Sequence, residues 1–252
     1  VPVYLQTRYD IRTTRLYSYA WIVYGFLYIP IQLKTVSSII QIVLPGLNIM
    51  AAMFIGVTIA VIYTSFSGMK GASAVGRVVC IGIYVLLICF VFTTLPRFGG
   101  FGGLLKSLPE NYDSMGNMPT QRIIAWIVGG CISTAVMQAV LQPLLSAKSP
   151  EAARAGSVLG YLIAAPICFF TATCGMLSKA SGADLGDGST AFAYAIKTFS
   201  SPIFAGVIFA FATMIIAATM ATMMLATGTI ITNVYKTEIN PKVDDVKVLK
   251  LS

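Results

Sequence analysis

Long apolar runs are the feature that most constrains this chain. Its 252 residues contain six runs of about 20 apolar residues, each bounded by charge, proline or glycine. Because a bilayer core about 30 Å thick needs roughly 20 apolar residues per helix, each run predicts a transmembrane helix. The predicted spans are Tyr17 to Leu44, Leu47 to Phe66, Val78 to Leu95, Ile123 to Leu145, Val158 to Leu177 and Ile203 to Ile231. The sequence therefore predicts an all-α polytopic membrane protein with six transmembrane helices that contact the lipid bilayer.

The distribution of lysine and arginine predicts the orientation. Alternate loops place 11 basic residues on one side of the membrane and five on the other. The positive-inside rule assigns the richer side, with both chain ends, to the cytoplasm, as expected for an integral protein of the plasma (inner) membrane. Because the net charge of +8 clusters at this membrane surface, no nucleic-acid partner is expected.

Residues that support catalysis or metal binding are scarce. The chain has no histidine, and charged residues make up 10% of it, against about 25% in soluble domains. Its five cysteines all lie inside apolar runs and are interpreted as free packing thiols. No aspartate or glutamate lies within a predicted span, so neither an enzyme nor a bound cofactor is expected.

The last predicted span carries a stripe of small and hydroxylated residues. Ile215, Ala218, Thr219 and Thr222 are spaced i, i+3, i+4 and i+7, and therefore share one helix face. The simpler interpretation is a close-packed helix interface. The alternative is an ion site, because oxygen donors on a membrane helix suit a desolvated cation such as sodium.

The fourth predicted span contains residues that loosen a helix. Gly129 and Gly130 are paired, and Pro143 follows near the cytoplasmic end. A helix broken at Gly129 and Gly130 and lining a cavity is one interpretation, because backbone freed at membrane depth needs protein or water to satisfy it. A glycine packing seam with an ordinary proline is the other.

Lys34, flanked by Gln32 and Thr35, is the charged residue of the first span. A long tilted helix would place its ammonium group near the membrane interior, where it would need a partner or water. Alternatively, the span ends near Leu33 and Lys34 extends outward to the interface.

Four stretches resemble signatures of the sodium/solute symporter family, and together they cover nearly the whole chain. YTSFSGMKGA (63–72) is similar to the family's Tyr-Thr-x-x-Gly-Gly-x-Lys-Ala-Val motif, and FGGFGGLL with LPE (98–110) is similar to its outer Gly-Gly loop. QPLLSAKSPEAARAG (142–156) is similar to the segment after the family's second broken helix. The stretch from GVIFA to TNVYK (206–236) is similar to its ion-site helix.

The resemblance implies a partial LeuT-like inverted-repeat transporter fold. The six spans would be core helices three to eight of ten. Residues 1–16 would form a cytoplasmic link, 17–235 the six-helix membrane domain, and 236–252 a cytoplasmic tail or link. Helices one, two, nine and ten would then lie outside this sequence, and this part alone is not expected to transport.

The resemblance also assigns an ion site. Aligned from Gly206, the family's two sodium-binding hydroxyl residues fall on Ala218 and Thr219, and its carbonyl ligand falls on Ile215. Ala218 lacks the hydroxyl, and Thr222, one turn further on, is the candidate replacement. A missing ligand costs about 1 to 3 kcal/mol, or roughly 5- to 150-fold in affinity.

Two further positions depart from the family pattern. Gly76 stands where the family places an aspartate near its inner ion pathway, and Gln142-Pro143 stands where the family has Gln-Arg. The loss of the aspartate, like the loss of a hydroxyl at Ala218, puts the expected sodium coupling in question.

The function expected from these features is secondary active transport by alternating access, in which sodium or a proton drives symport of a small polar solute. Ser133, Thr134 and Gln138 are the candidates for hydrogen bonds to the solute. Gln32 and Lys34 are the other candidate solute contacts, and Lys34 would be a counter-charge to an anion or a built-in replacement for sodium. The alternative is a symporter-like membrane sensor domain of a signalling protein.

Overall fold

The computed structural model describes residues 1–110, 112, 118–186 and 188–239, with backbone alone at 63–75, 135 and 143. These residues are helical almost throughout. The α-helices are α1 (Pro2–Arg8), α2 (Ile11–Val43), α3 (Ile49–Thr94), α4 (Gly100–Lys106), α5 (Thr120–Val136), α6 (Gln138–Leu145), α7 (Pro150–Ala180), α8 (Ala191–Phe199) and α9 (Pro202–Val234). A 3₁₀ turn, Leu95–Phe98, follows α3, and a π-helical turn, Tyr235–Ile239, follows α9.

The described part contains four helices long and apolar enough to cross a membrane. They are Ile11–Val43, Gly76–Phe98, Pro150–Ala180 and Pro202–Ile239. The chain is thus a polytopic helical membrane protein, as predicted. The second predicted span contributes the shorter apolar helix Ile49–Ile62, and the fourth is divided between α5 and α6.

The second and third predicted spans both lie on α3, whose backbone stays helical through the connection expected between them, which corrects the prediction of a loop there. No proline interrupts the helix in this stretch. The side chains of the YTSFSGMKGA signature (63–72) lie outside the described residues. The predicted tail beyond residue 239 also lies outside the described residues.

Side-chain caps set the starts of the long helices. In each case a side-chain oxygen accepts a backbone N–H of the first turn, which satisfies a donor that the helix itself leaves free. The capping residues are Asp10 for α2, Asn48 for α3, Ser149 for α7 and Ser201 for α9. The Thr13 N–H, 2.7 Å from the Asp10 carboxylate, lowers the pKa of Asp10. Because of this cap, α2 begins six residues before the predicted start at Tyr17.

α9 is the central helix of the described part, and it packs against both α2 and α3. Its sequence is apolar nearly all round, as expected for a helix that meets protein on several faces. Its fully buried side chains include Ile208, Met220, Met223 and Ile230. This packing places the middle of α9 opposite the middle of α2.

Polar contacts hold both ends of this core. Near the C-terminal end of α2, Lys197 of α8 donates to the Ile42 carbonyl at 3.0 Å. Near the N-terminal end of α2, Glu238 accepts from Arg15 Nε at 2.8 Å and from the Tyr19 hydroxyl at 2.7 Å. α2 is therefore tied to α8 near one end and to the turn after α9 near the other, and α2 and α9 run antiparallel.

Candidate functional site

A cavity of about 440 Å³ lies between α2, α3, α6 and α9. Its volume falls within the range typical of small-molecule pockets, roughly 300 to 1,000 Å³. Its walls are mostly apolar, with a few hydroxyl groups. The lining residues are Tyr28, Gly76, Val79, Cys80, Met137, Ala139, Val140, Ile215, Ala218, Thr219, Thr222 and Met223.

The cavity lies at the middle of the two long helices that form it. Tyr28 follows Ile11 by 17 residues and precedes Val43 by 15. Thr219 follows Pro202 by 17 residues and precedes Val234 by 15. At about 1.5 Å per residue, both residues lie roughly 23 to 26 Å from the helix ends. The cavity is therefore close to the midpoint of the predicted membrane.

All four residues of the predicted ion stripe line this cavity. The Thr219 hydroxyl donates to the Ile215 carbonyl at 3.0 Å, and the Thr222 hydroxyl donates to the Ala218 carbonyl at 2.9 Å. Both hydroxyl protons are therefore directed into the helix, which leaves the oxygen lone pairs of Thr219 and Thr222 to accept from the cavity. The Ile215 carbonyl already accepts this hydroxyl, so coordination of an ion by that carbonyl requires the Thr219 hydroxyl to turn away.

The helix break in the fourth predicted span is at Met137, which corrects the prediction of a break at Gly129 and Gly130. α5 runs unbroken through both glycines, and at Met137 the backbone becomes extended, with ψ 113°. Glycine permits a break but does not impose one, because in an apolar environment the intrahelical hydrogen bonds are the most available partners. The break occurs where another helix supplies a partner: the Tyr17 hydroxyl donates to the Val136 carbonyl at 2.9 Å.

Gln138, a predicted solute contact, is not itself among the residues that line the cavity. It is the first residue of α6 and stands between the lining residues Met137 and Ala139. Its side chain is 6% exposed, and Oε1 has no hydrogen-bond partner among the described residues. A buried amide oxygen without a donor costs about 1 to 3 kcal/mol, so this oxygen is placed to receive one.

The other predicted solute contacts do not line the cavity. The hydroxyls of Ser133 and Thr134 both donate to the Gly130 carbonyl of their own helix, at 3.1 and 2.7 Å. Gln32 donates to the Tyr28 hydroxyl at 3.1 Å and so contacts the cavity through that lining residue. Lys34 is exposed on α2, which continues beyond it to Val43 rather than ending near Leu33.

An aromatic ladder on α2 was missed in the sequence. Rings at Tyr17, Trp21, Tyr24 and Tyr28 follow one another with centroid separations of 6.3, 5.3 and 5.6 Å. Their i, i+4, i+7 and i+11 spacing is the periodicity of one helix face, and that spacing could have identified them. The ladder runs from Tyr17, which donates to the Val136 carbonyl beside the helix break, to Tyr28, which lines the cavity.

Two lining residues on α3, Gly76 and Cys80, offer positions at which the cavity can be mutated or labelled. No described atom lies within 4 Å of a Cβ built on Gly76, so a larger side chain there extends into open space. Cys80 is exposed and lines the cavity, which makes it a native thiol reporter. All five cysteines are free thiols, and Cys174 is the buried one.

Among the described residues, no group of three or more His, Cys, Asp or Glu side chains is placed to hold a metal ion. No family model matches the chain, and no curated protein matches it. The fold and the cavity together define a polytopic helical membrane protein with a pocket near the middle of two of its long helices.

Proposed function

We propose that this chain forms part of the core of a secondary active transporter that couples entry of sodium, or of a proton, to uptake of a small polar solute. The observation that carries the proposal is the cavity at the middle of α2 and α9. It is lined by Ile215, Ala218, Thr219 and Thr222 and lies beside the break at Met137. Secondary transporters of the family that the sequence resembles bind their solute near the bilayer midplane, beside discontinuous helices.

Hydrogen-bond polarity supports a cation at this site. The lone pairs of Thr219 and Thr222 are directed at the cavity because each hydroxyl proton is donated within α9. Gln138 adds a buried amide oxygen without a donor close by. These groups are all acceptors, and acceptors are what a hard monovalent cation requires when it loses water.

The size and charge of the cavity support a small solute without a large net charge. About 440 Å³ is far more than one ion needs, since a water molecule occupies roughly 30 Å³ in the liquid. Among the described residues, no side chain that lines the cavity is charged, and Lys34 does not line it. A neutral solute, or one whose charge the coupled ion balances, therefore suits the site best.

The energy available from one coupled ion is adequate. A monovalent cation that moves down a potential of 100 mV releases about 2.3 kcal/mol, and a tenfold gradient adds about 1.4 kcal/mol. Together they sustain roughly 500-fold accumulation of the solute.

The coupling is tested by solute uptake into proteoliposomes that contain the full-length protein, with sodium, lithium and proton gradients imposed separately. We expect one of these gradients to drive uptake above the gradient-free rate. Equal uptake with and without every gradient would contradict symport.

Ion binding is tested independently of the solute. In a variant of the full-length protein that keeps Cys80 as its single cysteine, we expect sodium to slow modification of Cys80 by a hydrophilic maleimide, relative to choline at equal ionic strength. The matched control keeps Cys131 alone, which is exposed on α5 and does not line the cavity. Sodium should leave its rate unchanged, and protection at both cysteines or at neither would count against the assigned site.

A further inference from the structure

Three buried polar side chains, two on α2 and one on α9, have no hydrogen-bond partner among the described residues. They are Ser18 through Oγ, Trp21 through Nε1 and Thr227 through Oγ1. Their exposed fractions are 1%, 7% and 6%. Buried polar groups in proteins nearly always have a protein or water partner, so three in one helix interface indicate that something else bonds to them.

The orientation of Thr227 distinguishes it from its neighbours on α9. The threonines at 219, 222, 229 and 232 all donate to a carbonyl three or four residues earlier in the helix. Thr227 does not, and its hydroxyl instead lies against Gly25 of α2, where a Cβ would collide with it. Its oxygen is therefore directed out of its own helix and into the interface.

The three groups are spread along the interface rather than gathered at one point. On α2, the spacing i, i+3 and i+7 places Ser18, Trp21 and Gly25 on one helix face. Thr227 of α9 contacts the last of these residues, Gly25. Seven residues of helix span about 10 Å, which is too long for one water molecule to bond to both ends. From this geometry we infer that the α2–α9 interface binds a file of two or more water molecules, held by Ser18, Trp21 and Thr227.

Water fits these groups better than an ion or an organic ligand. The two hydroxyls can donate or accept, and the indole N–H donates. A water molecule can also donate and accept, so water satisfies these three groups without adding a net charge. The described groups that pack around Trp21 are apolar or aromatic. Hydration is thus the chemistry that this narrow interface recognises.

The file extends from the cavity toward the cytoplasmic end of the two helices. Met223 both lines the cavity and packs on Trp21, and Ser18 lies one turn from Arg15, which contacts Glu238. If the proposed function is correct, the file supplies water to the coupled ion as it leaves its site. The water file itself does not depend on that function.

Thiol accessibility provides the first test. Ser18→Cys and Thr227→Cys are introduced singly into the full-length protein after its native cysteines are replaced. Each variant is treated with a small hydrophilic methanethiosulfonate in vesicles whose cytoplasmic face is outward. The matched control is Ala226→Cys, because Ala226 is fully buried and packs in the same cluster as Trp21. A thiol reacts as thiolate, which forms where water reaches it, so we expect modification about 10-fold faster at 18 and 227 than at 226. Equal rates at all three positions, slow or fast, would overturn the water file.

A second test uses the indole of Trp21 and needs no cysteine. In the full-length protein every tryptophan except Trp21, Trp126 among them, is replaced by phenylalanine, and the N–H exchange of Trp21 in D₂O is followed through the fluorescence lifetime. We expect fast exchange, which Gly25→Ala slows because the added methyl group collides with the Thr227 hydroxyl and displaces it. Gly160→Ala is the control, since a Cβ there meets nothing within 4 Å. Exchange as slow as that of the α9 backbone amides, or an equal effect of both alanine variants, would contradict the file.

The two proposals fail in different ways. A dry interface in a protein that shows ion-driven uptake overturns the water file alone. A wet interface in a protein without ion-driven uptake overturns the proposed function and leaves the water file in place.

Discussion

The Tyr17 hydroxyl of α2 donates to the Val136 carbonyl of α5 at 2.9 Å, so a side chain from one helix satisfies backbone that the end of another leaves free. This bond joins residues 119 positions apart in sequence. It places the interruption of the fourth span beside the cavity.

Tyr17→Phe removes this bond and keeps the ring. We expect the protein to lose about 0.5 to 1.5 kcal/mol of stability, the range for one hydrogen bond in a protein or between membrane helices. The measurement is thermal unfolding in detergent. Tyr24→Phe is the control, because the Tyr24 ring belongs to the same ladder but its hydroxyl does not cap the break. Equal destabilisation by the two variants would show that the hydrogen bond to Val136 contributes no measurable stability.

Thr219→Ala removes a hydroxyl oxygen from the cavity. We expect the half-saturating sodium concentration to rise roughly 5- to 150-fold, the equivalent of about 1 to 3 kcal/mol for one lost ligand. Thr219→Ser should restore most of the affinity. Thr229→Ala is the control, since Thr229 also donates within α9 but does not line the cavity. An unchanged sodium dependence in Thr219→Ala would remove this residue from the site.

Gly76→Asp adds a carboxylate to a wall of the cavity where no described atom obstructs a side chain. A negative charge 6 to 10 Å from a cation contributes about 1 to 3 kcal/mol at an effective dielectric constant of about 20. Sodium should therefore bind roughly 5- to 150-fold more tightly. Gly76→Asn is the neutral control and should change the affinity little. The assignment of a cation to this cavity predicts that only the charged variant tightens binding.

Glu238, in the turn after α9, joins the C-terminal end of α9 to the N-terminal part of α2 through Arg15 and Tyr19. Because the Arg15 and Glu238 side chains are 52% and 20% exposed, solvent screens the ion pair, and we expect a coupling energy of at most about 1 kcal/mol. A double-mutant cycle of Arg15→Gln and Glu238→Gln, with thermal unfolding as the readout, measures it. The coupling should decrease as salt is raised from low to physiological ionic strength. A coupling that salt does not change would indicate a desolvated pair instead.

Local periodicity made part of the site predictable. Ile215, Ala218, Thr219 and Thr222 share a face in any α-helix, so their common direction follows from spacing alone. The helical membrane class was predictable for a similar reason, because an apolar run that spans a bilayer must satisfy its backbone within itself. In both cases the relevant interactions lie within a few residues along the chain.

The residues that lie opposite this face of α9 could not be predicted from the spacing of the sequence. Tyr28, Val79 and Met137 complete the cavity from three other helices, and nothing local in their sequence indicates that they meet α9. The same reason explains the misplaced helix break. Gly129 and Gly130 are the residues that locally favour a helix break. The break lies instead at Met137, next to the Val136 carbonyl that accepts the Tyr17 hydroxyl.

By itself, then, the sequence determined the helical membrane class and the face on which the two threonines lie. Each depends on bonds between neighbours in the chain. Tertiary packing alone decided that this face borders a cavity, that the fourth span breaks at Met137 and that Lys34 stands outside the site. Those outcomes depend on which distant side chain or backbone group comes within hydrogen-bonding or van der Waals range once the helices assemble.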